Sequence, residues 1–169
     1  MTLAIAHKDL RTERVVIDAV REWRPEFSPD QVCRELAAVC KSYRIFRITG
    51  DHWGSLFVRE PLMELGLHYM LSPAPKSEVY VDALALLNSG KLELPDIARV
   101  TNQICGLERK VSRGGKDSID HAPGQHDDLA NSVLLAALLA NRDGGRPRIS
   151  AITIDLNPRS SNAITNWLA

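Results

Sequence analysis

The residues of this chain best suited to binding a ligand or a metal ion are carboxylates at the ends of predicted strands and helices. Asp51 follows the predicted short strand 44–49, and Gly50 permits close approach of the backbone to a ligand. In open α/β sheets, ligands bind beyond the carboxyl ends of the strands. The position of Asp51 therefore indicates a ligand-binding acid. A turn residue, or the cap of the next helix, is the structural alternative.

A second pair of acids, Asp127 and Asp128, opens a predicted helix that extends to about Ala140. Acids in the first helical turn interact favourably with the helix dipole by about 0.3–1 kcal/mol each, which is the structural alternative. Apolar residues cover most of the circumference of this helix, so we expect it to be buried. Buried carboxylates are costly unless they are paired or bind a metal. A strand-end acid and a helix-start acid supply the oxygen ligands that Mg²⁺ or Mn²⁺ prefers.

Basic residues precede this acidic helix in a glycine-containing segment. Such a loop suits contact with a phosphate backbone, although a solvated surface hairpin explains the same composition. Lys76 is a further candidate for phosphate contact, with an ordinary surface charge as the alternative. The basic residues of the segment are Arg109, Lys110, Arg113 and Lys116.

Length and composition are those of one globular domain. The chain has 169 residues, 44% of them hydrophobic and 25% charged, and its net charge is zero, which excludes disorder over most of its length. The neutral balance gives no global signature of nucleic-acid binding, so any such surface must be local. No apolar run reaches the roughly 18 residues of a membrane span. Cys33 and Cys40 lie seven residues apart on one predicted helix face, which indicates that they pack in the core. The spacing of the cysteines does not suggest disulfides, which indicates a reducing compartment.

Strands and helices alternate along the chain. Segments 2–6 and 14–23 predict a hairpin, while Ser28, Pro29 and Gln31 predict a helix start with a capping box. The remaining predicted elements are strands at 44–49, 68–71 and 91–94 and helices at 55–65, 77–87, 96–107 and 127–140.

Two segments lack a clear pattern. Residues 109–125 are charged and glycine-rich without an apolar period, so the pattern assigns no helix or strand there. The tail 143–169 has scattered glycine, proline and asparagine, and we expect it to form one edge strand or to be partly disordered. The organisation is therefore an α/β domain over residues 1–142, with helices flanking one mixed sheet, followed by this tail.

Several segments of the chain resemble the C-terminal nuclease domain of phage terminase large subunits. The likeness extends over about residues 1–142 and implies an RNase H-like (RuvC-like) fold with a central mixed sheet. It also implies a metal-dependent endonuclease that cuts concatemeric viral DNA during genome packaging. The segments are VVIDAVREWRPEFSP at 15–29, RIFRITGD at 44–51, PKSEVYVDALALLNSGKLELPD at 75–96 and DSIDHAPGQHDDLANS at 117–132.

The resemblance assigns roles to the candidate residues. Asp51 corresponds to the middle metal-binding acid, and Asp128, with Asp127 beside it, corresponds to the acid of the helix. The implied cofactors are Mg²⁺ or Mn²⁺ in a two-metal site. Lys76 and the basic segment would contact double-stranded DNA. Further implied partners are a terminase ATPase domain, the small terminase and the portal, in the cytoplasm of a bacterial host of a phage or prophage, with no membrane contact.

The chain departs from the family pattern at its start. Family members carry an aspartate on or just before the first strand, and the resemblance begins after that residue and after the ATPase. We therefore expect truncation to reduce metal affinity and cleavage severely. Two alternatives stay open: a non-catalytic remnant that binds DNA or packaging proteins, and a resolvase- or transposase-like nuclease of the same fold.

Overall fold

Strands and helices alternate in the computed structural model, which describes residues 1–24, 28–50, 55–111, 117–142 and 149–153. The alternation confirms the predicted α/β class. The strands are β1 (Thr2–Lys8), β2 (Val15–Glu22), β3 (Arg47–Gly50), β4 (His68–Leu71), β5 (Leu92–Glu93), β6 (Leu107–Val111), β7 (Asp117–His121) and β8 (Ile149–Thr153). The helices are α1 (Pro29–Ser42), α2 (Ser55–Glu64), α3 (Lys76–Asn88), α4 (Ala98–Cys105) and α5 (Asp128–Arg142).

Six strands form one mixed sheet in the order β4-β3-β8-β1-β2-β5. β1 and β2 form the predicted antiparallel hairpin, and β3 runs parallel to β4. β8 lies between β3 and β1, parallel to the first and antiparallel to the second. The expectation of an edge strand in the tail is therefore wrong. Its position could not be read from the sequence because the strands that it pairs with lie in the first third of the chain.

Helices cover both faces of this sheet. On one face, α3, α4 and α5 pack in a core that includes Ala4 and Ala6 of β1. On the other face, α1 and α2 pack in a core that includes Leu3 and Ile5 of the same strand. Successive residues of β1 thus point into two different cores, as the period of two of a strand requires.

Helix α5 is buried around most of its circumference, as its sequence predicts. It packs on β1, β2 and β8 and against α3 and α4. The small side chains of Ala4 and Ala6 on β1 are fully buried in the same core and allow close approach of a helix. Among the described residues, no helix is long and apolar enough to cross a membrane.

Helix α1 begins at Pro29 as predicted, but without a capping box. Ser28 occupies the N-cap position and its side chain makes no capping hydrogen bond, while the Gln31 amide donates to Glu35 Oε1 instead (2.8 Å). Cys33 and Cys40 are buried on the inner face of this helix, which confirms their packing role. Burial raises the pKa of Cys33 to about 11.

A second, two-stranded sheet consists of β6 and β7, which pair antiparallel from Leu107 with His121 to Val111 with Asp117. The sequence pattern assigned no element to 109–125, and the structure forms two strands within it. Most described residues of this hairpin are charged or polar and many are exposed, so the segment shows no apolar period. The result agrees with the surface hairpin that was the alternative for the basic segment.

Candidate functional site

Several chain segments that carry candidate residues meet at one edge of the main sheet. β3 and β8 both end there, with Gly50 level with Ile152. Helix α5 begins over the same edge, because Thr2 Oγ1 at the start of β1 donates a hydrogen bond to the Asp128 carbonyl (3.1 Å). Asp51 lies outside the described residues and follows Gly50 in the sequence. The structure thus brings the end of β3 and the start of α5 to one edge.

Asp127, the residue before α5, is a buried carboxylate with two partners. Its Oδ2 accepts a hydrogen bond from the Tyr80 hydroxyl (2.8 Å) and lies 3.0 Å from Lys76 Nζ. These contacts offset the cost of burying the charge. Burial and then the charge of Asp127 raise the pKa of Tyr80, so this phenol remains protonated and donates. Asp128 is partly exposed.

Lys76, at the start of α3, bridges two carboxylates. Its ammonium lies 2.8 Å from Asp120 Oδ1 and 3.0 Å from Asp127 Oδ2. Burial lowers the pKa of Lys76, but the hydrogen bonds and charges of both carboxylates outweigh that effect and raise it overall. Burial likewise raises the pKa of Asp120, yet its bonds to Lys76 and to the His121 backbone N–H lower it overall. Contact between Lys76 and DNA stays a prediction.

Asp120, His121 and Asp127 form a group whose ligand atoms all lie within 4.8 Å of one another. Such a group could hold a cation, but the Lys76 ammonium already compensates both of its carboxylates. A metal ion bound there would have to displace Lys76. Carboxylate oxygens, such as those of Asp128 and of the predicted ligand Asp51, are hard donors that suit Mg²⁺ or Mn²⁺, and their role as ligands stays a prediction.

The β6–β7 hairpin is attached to the start of α3. Ser77 Oγ accepts a hydrogen bond from the Ile119 backbone N–H (2.8 Å), next to the ion pair between Lys76 and Asp120. Two successive residues of α3 therefore hold β7 beside Asp127. The hairpin cannot move far from the sheet edge without breaking these contacts.

The basic residues predicted to contact DNA lie on this hairpin and on the segment that joins its strands. Arg109 and Lys110 are exposed residues of β6. Arg113 and Lys116 lie outside the described residues. β6 thus presents two exposed basic residues on a hairpin that also carries the acids Glu108, Asp117 and Asp120 and that Lys76 and Ser77 attach beside Asp127.

The start of α5 is capped by a side chain of another helix. Gln103 Oε1, on α4, accepts hydrogen bonds from the backbone N–H groups of Leu129 (2.8 Å) and Ala130 (3.1 Å). First-turn N–H groups have no partner within their own helix, so this oxygen satisfies two of them. The contact fixes the position of Asp128 relative to α4.

Sequence reasoning missed Tyr80, Gln103 and Asp120. Lys76 and Tyr80 lie four residues apart on α3, and this spacing could have shown that they share a helix face. Gln103 and Asp120 gave no comparable signal. The groups that they contact lie on other elements, and only the folded chain brings them together.

Comparison with known proteins adds solved structures but no sequence relatives. No protein-family model and no curated protein matches this chain. The large terminase nuclease from thermophilic phage G20c matches with a TM-score of 0.63 and 20% identity, over 81% of this chain and 74% of that one. The same nuclease with bound magnesium matches with a TM-score of 0.61 and 23% identity, over 80% and 74%. The chain has the fold of phage large-terminase nuclease domains.

A further solved structure has the same fold. The large terminase nuclease domain of Thermus phage P74-26 matches with a TM-score of 0.56 and 21% identity, over 72% of this chain and 64% of that one. The terminase-nuclease fold confirms the RNase H-like architecture that the sequence motifs implied. At these identities the likeness establishes the fold, and the function has to be argued from the site.

Proposed function

We propose that this chain is the nuclease domain of a phage DNA-packaging terminase and cuts concatemeric DNA by metal-dependent phosphodiester hydrolysis. One observation carries the proposal: in a terminase-nuclease fold, α5 begins with Asp128 over the sheet edge at which β3 ends, one residue before Asp51. Carboxylates from two rigid elements, at the edge of the sheet where its parallel strands end, are suited to binding divalent metal ions.

In this proposal Asp51 and Asp128 hold Mg²⁺ or Mn²⁺, with Asp127 beside them. A bound pair of such ions activates water and stabilises the leaving oxygen of a phosphodiester. The protein's own task is to position these acids. Gln103 fixes the first turn of α5, and Thr2 fixes the carbonyl of Asp128, so the helix acid is held before any ligand binds.

Double-stranded DNA is the proposed substrate, and the hairpin supplies the positive charge that a phosphate backbone attracts. The side chain of Lys76 is 36% exposed, so its ammonium can also contact a phosphate while it holds Asp120 and Asp127. We further propose a terminase ATPase domain, the small terminase and the portal as partners, in the host cytoplasm. The basic residues concerned are Arg109, Lys110, Arg113 and Lys116.

Nicking of supercoiled plasmid in Mn²⁺ tests the proposal. The wild-type chain should nick, at the reduced rate that its departure from the family pattern predicts, while Asp51→Ala and Asp128→Ala should lose nicking because each removes a carboxylate ligand. Asp96→Ala is the matched control, since Asp96 is an exposed aspartate before α4, and it should nick like the wild type. Equal nicking by all four proteins, or none by the wild type, would contradict the proposal.

Substrate preference separates a terminase from a resolvase of the same fold. A packaging nuclease cuts linear duplex, so we expect linear duplex to be cut at least as fast as a four-way junction of equal length. A strong preference for the junction would contradict the terminase assignment. If that cleavage still depended on Asp51 and Asp128, the proposed metal site would be supported.

A further inference from the structure

A polar cavity of about 530 Å³ lies at the base of the β6–β7 hairpin, where Leu107 pairs with His121. Its volume is within the range of roughly 300–1,000 Å³ that ligand pockets have. Helix α4 contributes Arg99, Asn102 and Gln103 to the lining, at the three- and four-residue spacing of one helix face. The rest comes from the start of β6 and from residues between the end of β7 and the start of α5. The cavity is therefore formed where α4 meets the hairpin.

The cavity adjoins the candidate acids. His121, which lines it, follows Asp120 in the chain, and His126, which also lines it, precedes Asp127. Gln103 lines the cavity and also accepts hydrogen bonds from two first-turn N–H groups of α5 (2.8 and 3.1 Å). A ligand in the cavity would thus contact residues that border the acids or that hold the start of α5.

The lining offers hydrogen bonds but little net charge. Asn102 and Gln125 are exposed, and neither side-chain amide has a hydrogen-bond partner among the described residues, although each carries donors and an acceptor. Arg99 and Glu108 bring one charge of each sign. His121 Nδ1 lies 2.9 Å from the carbonyl oxygen of the next residue, which can only accept, so Nδ1 donates and the imidazole is held in place. This lining suits an uncharged, planar ligand with donors and acceptors at its edge.

We propose that this cavity binds the base of a nucleotide, with the phosphate of the nucleotide at Arg99. A base is planar and uncharged at neutral pH, its edge pairs with side-chain amides as adenine does with Asn or Gln, and its face stacks on imidazole or guanidinium groups. The Arg99 side chain is 44% exposed, and its Nη2 lies 3.0 Å from Glu22 Oε1. A guanidinium has five donors, so Arg99 can bind a phosphate as well.

Two sources can supply such a nucleotide: the DNA strand that enters the site, and free nucleotide in solution. A base in a duplex must leave its stack to enter a pocket, and this costs least when the DNA is already single-stranded. We therefore expect short single-stranded DNA to occupy the cavity as free nucleotides do. The inference rests on the proposed function for the DNA source alone.

Nuclear magnetic resonance of the isotope-labelled full chain, in metal-free buffer, tests the inference. Addition of deoxynucleoside monophosphates should shift the side-chain amide signals of Asn102 and Gln125 and leave that of Asn88 in place. Asn102→Ala and Gln125→Ala should each weaken binding by about fivefold or more, which is the discrimination that an amide–base pair supplies. Asn88→Ala is the matched control, with the same substitution at an exposed helical site on α3, and it should bind like the wild type.

Arg99→Met tests the phosphate contact separately from the base contact. The wild type should bind a deoxynucleoside monophosphate more tightly than the corresponding nucleoside, and Arg99→Met should lose up to about fivefold of this preference, the range of an exposed ion pair. Arg24→Met is the matched control, because Arg24 binds the same Glu22 (3.2 Å) but does not line the cavity, and it should keep the preference. An unchanged preference in Arg99→Met would overturn the placement of the phosphate.

The outcomes distinguish this inference from the proposed function. If neither nucleotides nor short single-stranded DNA shift the Asn102 and Gln125 signals, or if both alanine variants bind like the wild type, the inference fails. The proposed nuclease still stands in that case if nicking depends on Asp51 and Asp128. Shifts with single-stranded DNA as well as nucleotides support a base of the DNA strand, and shifts with nucleotides alone support a free nucleotide. Shifts in a chain that does not nick plasmid support the cavity and contradict the proposed nuclease.

Discussion

Asp127 is a buried carboxylate, and its partners determine how much its burial destabilises the fold. The Tyr80 hydroxyl and the Lys76 ammonium both approach its Oδ2. A buried carboxylate that loses such a partner is strongly destabilising, because the remaining charge is uncompensated. Lys76 also binds Asp120, so one ammonium links the start of α3 to β7 and to the start of α5.

The ion pair of Lys76 with Asp120 predicts a pH dependence of stability. The pKa of Asp120 is lower in the folded protein than in the unfolded chain, where it is about 3.9. Its charge therefore stabilises the fold above about pH 3.9, and this stabilisation is lost as pH falls through the lower folded-state pKa. Conversely, the pKa of Lys76 is raised in the folded protein. The charge of Lys76 therefore stabilises the fold below about pH 10.4, and this stabilisation is lost as pH rises through the raised pKa.

Lys76→Met should therefore be less stable than the wild type at pH 7, with a difference that shrinks below about pH 4. Urea unfolding at pH 7 and at pH 3 measures this difference. Asp120 is half-exposed, so part of the effect should also be screened at high salt. A difference of equal size at both pH values would show that Lys76 acts through its hydrocarbon chain and not through its charge.

At the scale of single residues, the sequence drew attention to Asp127 and Asp128 but not to the residues that contact them. Asp127 and Asp128 were found because they open an apolar helix, which is a local pattern. Tyr80 and Asp120 were not found, because their roles depend on which elements pack together. For Lys76 the sequence indicated a phosphate contact, and the structure adds two ion pairs within the protein.

Helix α5 is the element that connects the core to the site, and its first turn is held by α4. Gln103 satisfies two backbone N–H groups that α5 itself cannot satisfy. The same contact ties α4 to the residues that follow Asp128. Capping from another element therefore sets both the stability of this helix start and the position of its acid.

Gln103→Ala should lower the free energy of unfolding by about 0.5–2 kcal/mol, as loss of a helix cap does. Gln31→Ala is the matched control, since its amide donates to Glu35 at an exposed site of α1, and it should cost less than about 0.5 kcal/mol. Urea unfolding of both variants measures the contrast. Equal losses would mean that the Gln103 cap contributes nothing measurable.

Elements with strong local patterns were predicted from the sequence. The β1–β2 hairpin and the buried helix α5 follow from apolar periodicity, which is a local property of the sequence. The β6–β7 hairpin was only one of two alternatives for its segment, because a polar hairpin held by Ser77 and Lys76 has no apolar pattern of its own.

The main sheet depends on strands from both ends of the chain. β1 begins at Thr2, and β8, its neighbour, comes after α5. Pairing over such a separation has a loop-closure entropy cost, which the packing of α5 on both strands offsets. The sequence predicted one edge strand or partial disorder in the tail but could not specify the place of the strand in the sheet, because strand order is decided by packing.

Two substitutions of Ala151 test whether β8 is an interior strand. It pairs with Ala4 on one side and with Thr49 on the other. Ala151→Pro removes the N–H and places proline in a strand that is paired on both sides, so it should destabilise the protein strongly. Ala151→Gly keeps the N–H and should cost about 0.5–1 kcal/mol.

Chemical denaturation of the two Ala151 variants distinguishes the interior strand from an edge strand or a disordered tail. An interior strand predicts a much larger loss for proline than for glycine. Similar small losses in both variants would contradict the strand order β3-β8-β1.

Anomalous X-ray diffraction from crystals grown with Mn²⁺ tests the central claim most directly, because it locates the metal. The account predicts Mn²⁺ density at the carboxyl edge of the sheet, in contact with Asp51 and Asp128, and loss of that density in Asp51→Ala. Density at Asp120 and His121 with Lys76 displaced, or no density at the sheet edge under conditions in which the protein nicks DNA, would contradict it.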